Sequence, residues 1–365
     1  MHTTHRIHFG PAQRMNEVPD ASIALTVTSP PYPMIEMWDE SFGQQNPAIR
    51  TALAAGDGQR AFDLMHLELE KVWGEVARVT LPGGFVCINI GDATRTLEGT
   101  FQLFPNHARI INFFLKNGFV NLPNVLWRKP TNAPNKFMGS GMLPAGAYVT
   151  LEHEYILIFR KGGKRIFKTE AEKRNRQESA FFWEERNQWF SDLWEFRGTG
   201  QKLALGAGRD RSGAFPFELP YRLISMYSVK GDTVLDPFVG TGTTTLAAIA
   251  AGRDSVGYEV DETLRETIFE AVSSERIRAL NLLIRERLQA HVRFVEERSD
   301  LKHHNAFYDF SVMTSQETEL RLNFVQRIDN QRGSWGVEYQ REAVPDFSTV
   351  PPARKGVVVQ QVLAF

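Results

Sequence analysis

Two short stretches carry residue types whose spacing could do chemistry. Asp236-Pro237-Phe238-Val239-Gly240-Thr241-Gly242-Thr243-Thr244 stands between the apolar run Thr233-Val234-Leu235 and a helical pattern. Glycines at a strand-to-helix turn let the backbone approach a ligand closely, and the helix start offers unpaired N–H donors. Glu259, at the end of the next apolar run, lies about 20 residues on, where a carboxylate is placed to hold ribose hydroxyls. Together these residues describe a pocket for an adenosine-containing cofactor. A phosphate loop is excluded, because no lysine follows the glycines. The second stretch is Thr28-Ser29-Pro30-Pro31-Tyr32. Two successive prolines fix the backbone, so the Ser29 hydroxyl and the Pro30 carbonyl can point at one place. Such a pair suits an exocyclic amine of a nucleobase, whose lone pair is delocalised into the ring. A site that accepts both N–H hydrogens favours the pyramidal, nucleophilic nitrogen. A base extruded from a duplex also needs a stacking partner, which Tyr32 offers. Taken alone, the tetrapeptide reads more readily as an ordinary proline-rich turn.

These loops need elements to position them. Residues 22–28 form a β-branched, apolar run that stops at the prolines, as a buried strand would. Helical spacing over residues 62–79 is broken at Leu81-Pro82-Gly83-Gly84, and residues 85–90 read as the next strand. A helix over 107–117 and strands over 124–128 and 155–159 follow. From 161 to 213 periodicity gives way to charged and aromatic residues. It resumes with a helix over 220–227, a strand over 233–235, a helix over 244–251 and a strand over 255–258. A charged helix from about 261 to about 290 and strand-like runs at 320–325 and 335–339 close the chain. The alternation predicts a doubly wound, mostly parallel Rossmann-like α/β sheet. Its expected divisions are a catalytic half (1–160), an inserted recognition region (161–213), a cofactor-binding half (214–290) and a C-terminal extension (291–365). In open α/β sheets ligands bind beyond the carboxyl ends of strands where strand order reverses. If the strands ending at Thr28 and Leu235 are neighbours there, the two loops share one cleft.

The pairing of S-P-P-Y with D-P-F-x-G-x-G-T-T resembles the amino-group DNA methyltransferases in their permuted, β-class order. Supporting segments are Leu81-Pro82-Gly83-Gly84-Phe85, Trp127-Arg128-Lys129-Pro130, His153-Glu154-Tyr155-Ile156-Leu157 and Phe215-Pro216. The resemblance covers most of residues 7 to about 261. It implies S-adenosyl-L-methionine as cofactor, double-stranded DNA as substrate and base flipping before direct displacement. It further implies Ser29, Pro30, Pro31 and Tyr32 at the target base, with Asp236, Phe238, Gly240, Gly242, Thr243, Glu259 and Phe215 around the cofactor. Ser at the head of the tetrapeptide is usual for N4-cytosine enzymes, Asp or Asn for N6-adenine enzymes, so N4 of cytosine is the expected target and N6 of adenine the alternative. Phe9-Gly10-Pro11-Ala12 stands where relatives often carry Gly-Asp-Ala, which replaces an acidic cofactor contact with Pro11.

Composition narrows the alternatives. A single cysteine, Cys87, rules out disulfides within the chain and cysteine-rich zinc sites. Set between Val86 and Ile88, it reads as core rather than as the nucleophile that C5-cytosine methylation needs. His2, His5 and His8, and His303 with His304, lack acidic or cysteine companions, so no metal is expected and they read as flexible or surface residues. A net charge of −1 does not advertise a polyanionic partner for the whole molecule. Residues 160–176, however, hold eight basic residues against Glu170 and Glu172. Lys164, Arg165, Arg174 and Arg176, together with Lys129, Arg209 and Arg211, are therefore the candidate DNA contacts, whose removal would flatten salt dependence. A solvated face is the competing reading. No apolar run approaches bilayer length, so a cytoplasmic protein is expected. A cognate restriction endonuclease is a candidate partner, and monomer and homodimer are both open. A DNA-binding module without turnover is the non-enzymatic alternative.

Overall fold

The computed structural model describes residues 1–129, 138–139, 141–196, 215–331 and 333–340. Along the chain come β1 (His2–Phe9), β2 (Ile23–Thr28), α1 (Asp39–Gln45), α2 (Pro47–Ala54), α3 (Gly58–Val79) and β3 (Thr80–Ile90). A hairpin of β4 (Ala93–Leu97) and β5 (Thr100–Phe104) precedes α4 (Asn106–Lys116), β6 (Phe119–Asn121) and β7 (Val125–Arg128). The two-residue strands β8 (Met138–Gly139) and β9 (Ala147–Tyr148) lead to β10 (His153–Lys161), α5 (Glu170–Glu178), α6 (Trp183–Trp189) and β11 (Leu193–Glu195). Next are α7 (Glu218–Tyr227), β12 (Thr233–Asp236), α8 (Thr243–Ala251) and β13 (Asp254–Glu259). The chain continues with α9 (Arg265–Ala271), α10 (Ile277–Glu296), β14 (His303–His304), β15 (Ser311–Val312), β16 (Val325–Asn330) and β17 (Ser334–Tyr339).

Eleven of these strands form one sheet in the order β11-β7-β10-β3-β2-β12-β13-β1-β17-β16, with β6 also paired to β10. The central five, β3, β2, β12, β13 and β1, run parallel. All six residues of β2 are buried, as befits a parallel strand covered on both faces. From β2 the chain moves outward to β3, and from β12 it moves outward the other way to β13. Strand order therefore reverses between β2 and β12, which pair directly through Val234 with Leu25 and Leu235 with Thr26. This is the neighbour relation that the sequence required for a shared cleft.

Several expectations change. Strand β1 went unread because its inward positions are Thr3, His5 and Ile7, a polar alternation that carries no apolar period. His5 is neither flexible nor superficial. It is fully buried, with Nε2 2.9 Å from Thr3 Oγ1 and Nδ1 2.8 Å from Ser255 Oγ on β13. Leu81-Pro82-Gly83-Gly84 ends the helix but lies inside β3, where the pairing with β2 shifts register between Ile23 and Leu25. The charged helix is two, α9 and α10, parted at Val272-Ser273, where the Ser273 hydroxyl donates back to the Glu270 carbonyl at 2.9 Å and competes with a continuous helical ladder. The strand expected at 320–325 starts only at Val325, because the Leu322 N–H is taken by the Tyr308 hydroxyl at 2.9 Å.

Residues 161–196 are not aperiodic. They form α5, α6 and β11, and β11 pairs with β7 at the edge of the main sheet. Phe182, Trp189 and Trp194 are buried. Arg287 of α10 grips the Glu185 carboxylate at 2.6 and 2.7 Å, and His291 stacks on Phe182 at 4.0 Å. The tail strands β16 and β17 extend the sheet beyond β1, covering an edge that would otherwise offer unpaired backbone groups. No described helix is long and apolar enough to cross a membrane.

Candidate functional site

The two sequence-read loops meet at the carboxyl rim of β2 and β12. Thr28, the last residue of β2, donates from Oγ1 to Asp236 Oδ1 at 2.6 Å. The same oxygen accepts the Phe238 N–H at 3.0 Å, which folds the chain back over the strand end. Burial holds the Asp236 carboxyl above its ordinary range. Gly240 and Gly242 take φ values of +58° and +88°, a region that strains other residues, and Thr243 then opens α8. A Cβ built on Gly240 would meet nothing within 4 Å, so open space lies above that glycine. A Cβ on Gly257 of β13 would stand 2.3 Å from Val239 Cγ2, so that glycine is what lets the loop lie close on the strand.

Glu259, at the end of β13, accepts the Gly240 N–H at Oε2 and the Asp261 N–H at Oε1, both at 2.8 Å. Its carboxyl is raised by burial. Each oxygen keeps a further lone pair, enough to accept a ligand hydroxyl. Half-buried Phe238 sets its ring 5.8 Å from that of Trp73, while Phe215 is buried in the core cluster that also takes Val239. A carboxylate, an aromatic face and a glycine turn with open space fit a nucleoside-bearing cofactor. Pro11 is exposed, and Gly10 N–H goes to the Glu259 carbonyl at 2.8 Å.

On the other side, Ser29 Oγ lies 3.1 Å from Tyr32 Oη, whose O–H donates to Glu154 Oε2 at 2.8 Å. Asn89, on β3, donates from Nδ2 to Tyr32 Oη at 2.8 Å and to Glu154 Oε2 at 2.6 Å, and reaches Ser29 Oγ at 3.5 Å. Lys129 pairs with the other Glu154 oxygen and lies 4.3 Å from the Trp127 ring centre. The Tyr32 ring edge rests on Gly91, where an added Cβ would stand 3.0 Å from Cε2. Beneath the loop, Asn106 donates to the carbonyls of Pro33 (3.1 Å) and Gly91 (3.0 Å). Met34 follows at φ +69°, a strained value for a side chain of its size, with its N–H on Met65 Sδ. Sequence reading assigned no role to Asn89, Gly91 or Glu154, although Glu154 stood in one of the family-like segments. For Asn89 and Glu154 the available signal was a polar residue inside an apolar strand, and its meaning depends on β10 returning antiparallel beside β3.

The same antiparallel return displaces the basic residues. β10 leaves the cleft at His153 and delivers Lys161 to the amino-terminal rim of the sheet. There Arg165 donates from Nη1 to both carboxylate oxygens of Asp232, just ahead of β12, at 2.7 and 2.8 Å. Arg174 pairs with Glu178, Arg176 lies over the Phe167 ring, and Lys164 is exposed on the same side. Of the candidate DNA contacts among the described residues, only Lys129 lies at the cleft. Arg209, Arg211 and Pro130 lie outside the described residues. Cys87 is fully buried inside β3, and burial pushes its thiol up, so it cannot serve as a nucleophile.

The DNA methylase family of the N6/N4 type matches residues 23–270 of the chain. Over 326 residues, 89% of this chain and 91% of the relative, the sequence is 55% identical to the type II methyltransferase M.MthZI of Methanothermobacter thermautotrophicus. It is 50% identical over 287 residues to the type II methyltransferase M.MjaI of Methanocaldococcus jannaschii, 76% of this chain and 93% of that one. Among solved structures it is similar to a candidate DNA modification methylase of Thermus thermophilus in complex with S-adenosyl-L-methionine. That likeness has 34% identity and a TM-score of 0.55, over 73% of this chain and 93% of the other.

Proposed function

The chain belongs to the N6/N4 DNA methylases, and from that premise we propose that it methylates N4 of cytosine in duplex DNA as the modification half of a type II restriction-modification system. The observation that carries the reading is the 2.6 Å bond from Thr28 to Asp236, which ties the S-P-P-Y loop to the glycine loop at one rim. Ser29 heading the tetrapeptide supports cytosine over adenine. The modification role is supported by the similarity to two type II methyltransferases.

Glu259 is assigned to ribose hydroxyls, Phe238 to the flat face of the adenine, and Gly240, Gly242 and Thr243 to the backbone cradle, with Asp236 holding the loop and Phe215 supporting it. Bound S-adenosyl-L-methionine supplies a sulfonium methyl group open to direct displacement. Ser29 Oγ and the Pro30 carbonyl accept the hydrogens of the target amine, while Pro31 keeps the turn rigid and the Tyr32 ring stacks on the extruded base. Because Cys87 is sealed in the core, no covalent adduct with the base forms.

The test is transfer of labelled methyl groups to mixed-sequence duplex DNA, followed by nucleoside mass spectrometry. N4-methylcytosine is expected. N6-methyladenine would move the target base, and no incorporation on any DNA would favour a binding module without turnover.

A further inference from the structure

An amine that gains a methyl group must shed a proton, and the Ser29 hydroxyl alone has nowhere to store it. In this chain that hydroxyl is the first of three polar groups in series: Ser29 Oγ to Tyr32 Oη at 3.1 Å, and Tyr32 Oη to Glu154 Oε2 at 2.8 Å. The direction of the series is determined. Asn89 Nδ2 sits 2.6 Å from Glu154 Oε2, and the flipped amide would set two acceptors against each other, so Asn89 donates there and to Tyr32. With the Tyr32 O–H given to Glu154 and the Asn89 amide donating, the Ser29 hydrogen points at Tyr32 Oη. The Ser29 lone pairs are thereby left for the target N–H. Lys129 occupies Glu154 Oε1, leaving Oε2 to Tyr32 and Asn89.

We propose that Glu154 receives the proton of the target amine through the Ser29 and Tyr32 hydroxyls. The proposal rests on the amino-methylation reading above. As the nitrogen lone pair forms its bond to the methyl carbon, the carbon–sulfur bond breaks and its electrons stay on sulfur. The cationic nitrogen gives a proton to Ser29 Oγ, Ser29 passes its own to Tyr32 Oη, and Tyr32 passes its own to Glu154 Oε2. Both hydroxyls end unchanged and the carboxyl ends neutral. With a side chain 14% exposed, Glu154 can return the proton to water. Burial and the Glu154 charge hold the Tyr32 phenol well above its usual range, so Tyr32 relays rather than stores. Asn89, a neutral amide, cannot take the proton and orients the series instead. Glu154 acts through its neighbours and is a positioning residue for the reaction.

The test compares single-turnover methyl transfer to duplex DNA by wild type, E154Q, E154D and Y32F from about pH 5 to about pH 9. Cofactor affinity and thermal unfolding are measured on the same samples. E154Q and Y32F are expected to lower the rate about 100-fold with cofactor affinity unchanged, although Y32F keeps the stacking ring. E154Q flattens the acid limb of the rate profile, and E154D restores it. A purely structural role would lower the unfolding temperature without moving that limb. Should E154Q keep the wild-type rate and profile, the relay is overturned while the methylation reading stands. Wild type inactive on every DNA overturns both.

Discussion

Thr28 Oγ1 lies 2.6 Å from Asp236 Oδ1, so a hydroxyl and a carboxylate 208 positions apart close the ends of neighbouring parallel strands. Thr28→Val removes the donor from a buried carboxylate, which costs about 1–3 kcal/mol. Urea unfolding reads the loss, and cofactor affinity falls with it because the glycine loop is tethered through Asp236. Unchanged stability would mean that the bond is dispensable.

Asp236 itself yields a signed pH prediction. Its folded-state carboxyl is raised by burial, so the folded chain binds the proton more tightly than the unfolded one. The charged form therefore costs stability, a cost absent below the ordinary aspartate range and present in full above the folded value. Asp236→Asn keeps an acceptor for Thr28 and Phe238. The variant is expected to gain stability over wild type at about pH 8, lose that gain near about pH 3, and bind cofactor more weakly. Urea unfolding at both pH values checks the sign, and a variant less stable than wild type at the higher pH would contradict it.

His5 behaves in the opposite sense. Burial and neighbouring His2 lower it from 6.5 to about 3. Folding therefore favours the neutral ring, and its contribution is complete above pH 6.5 and lost as pH falls from 6.5 toward about 3. His5→Gln is expected to remove part of the acid slope of stability in that window. The same slope in the variant would place the acid sensitivity elsewhere.

The basic residues of 161–176 lie on the rim away from the cleft. Replacing Lys164 and Arg176 with alanine is expected to leave the slope of log affinity against log salt unchanged, where two lost phosphate contacts would shift it by about 1.8. Arg165→Ala instead lowers stability by about 1–3 kcal/mol, because the buried Asp232 carboxylate loses the Nη1 donor that both its oxygens share. A flattened slope in the double variant would place DNA on the amino-terminal rim.

Ser29 and Glu259 separate the two halves of the cleft. Ser29→Ala is expected to lower turnover about 100-fold with cofactor affinity kept, while Glu259→Ala weakens cofactor binding first. Equal loss of cofactor affinity in both variants would contradict the assignment.

The features readable from the chain alone are those that local chemistry writes. Pro30-Pro31 stops β2, Gly240 and Gly242 mark a left-handed turn, and both motifs point to strand ends. The β2–β12 adjacency was the condition that a general rule about strand order set for a shared cleft, and the pairing of Val234 with Leu25 meets it. Strand β1 escaped because its buried positions are Thr3 and His5, satisfied by Ser255 and Tyr339 from distant strands. Asn89 and Glu154 are ordinary polar residues until β10 lies antiparallel on β3. The basic run suggested a DNA face because composition records charge but not the rim to which a strand delivers it.

Methyl transfer by this chain requires the donor and the target amine to occupy one crevice between β2 and β12. A crystal structure of the protein with a cofactor analogue and duplex DNA decides whether they do. An extruded cytosine is expected against Tyr32, its amino nitrogen at Ser29 and roughly 3–3.5 Å from the position of the transferable methyl above Gly240. A cofactor over Gly240 with the base bound on another face of the molecule would contradict it.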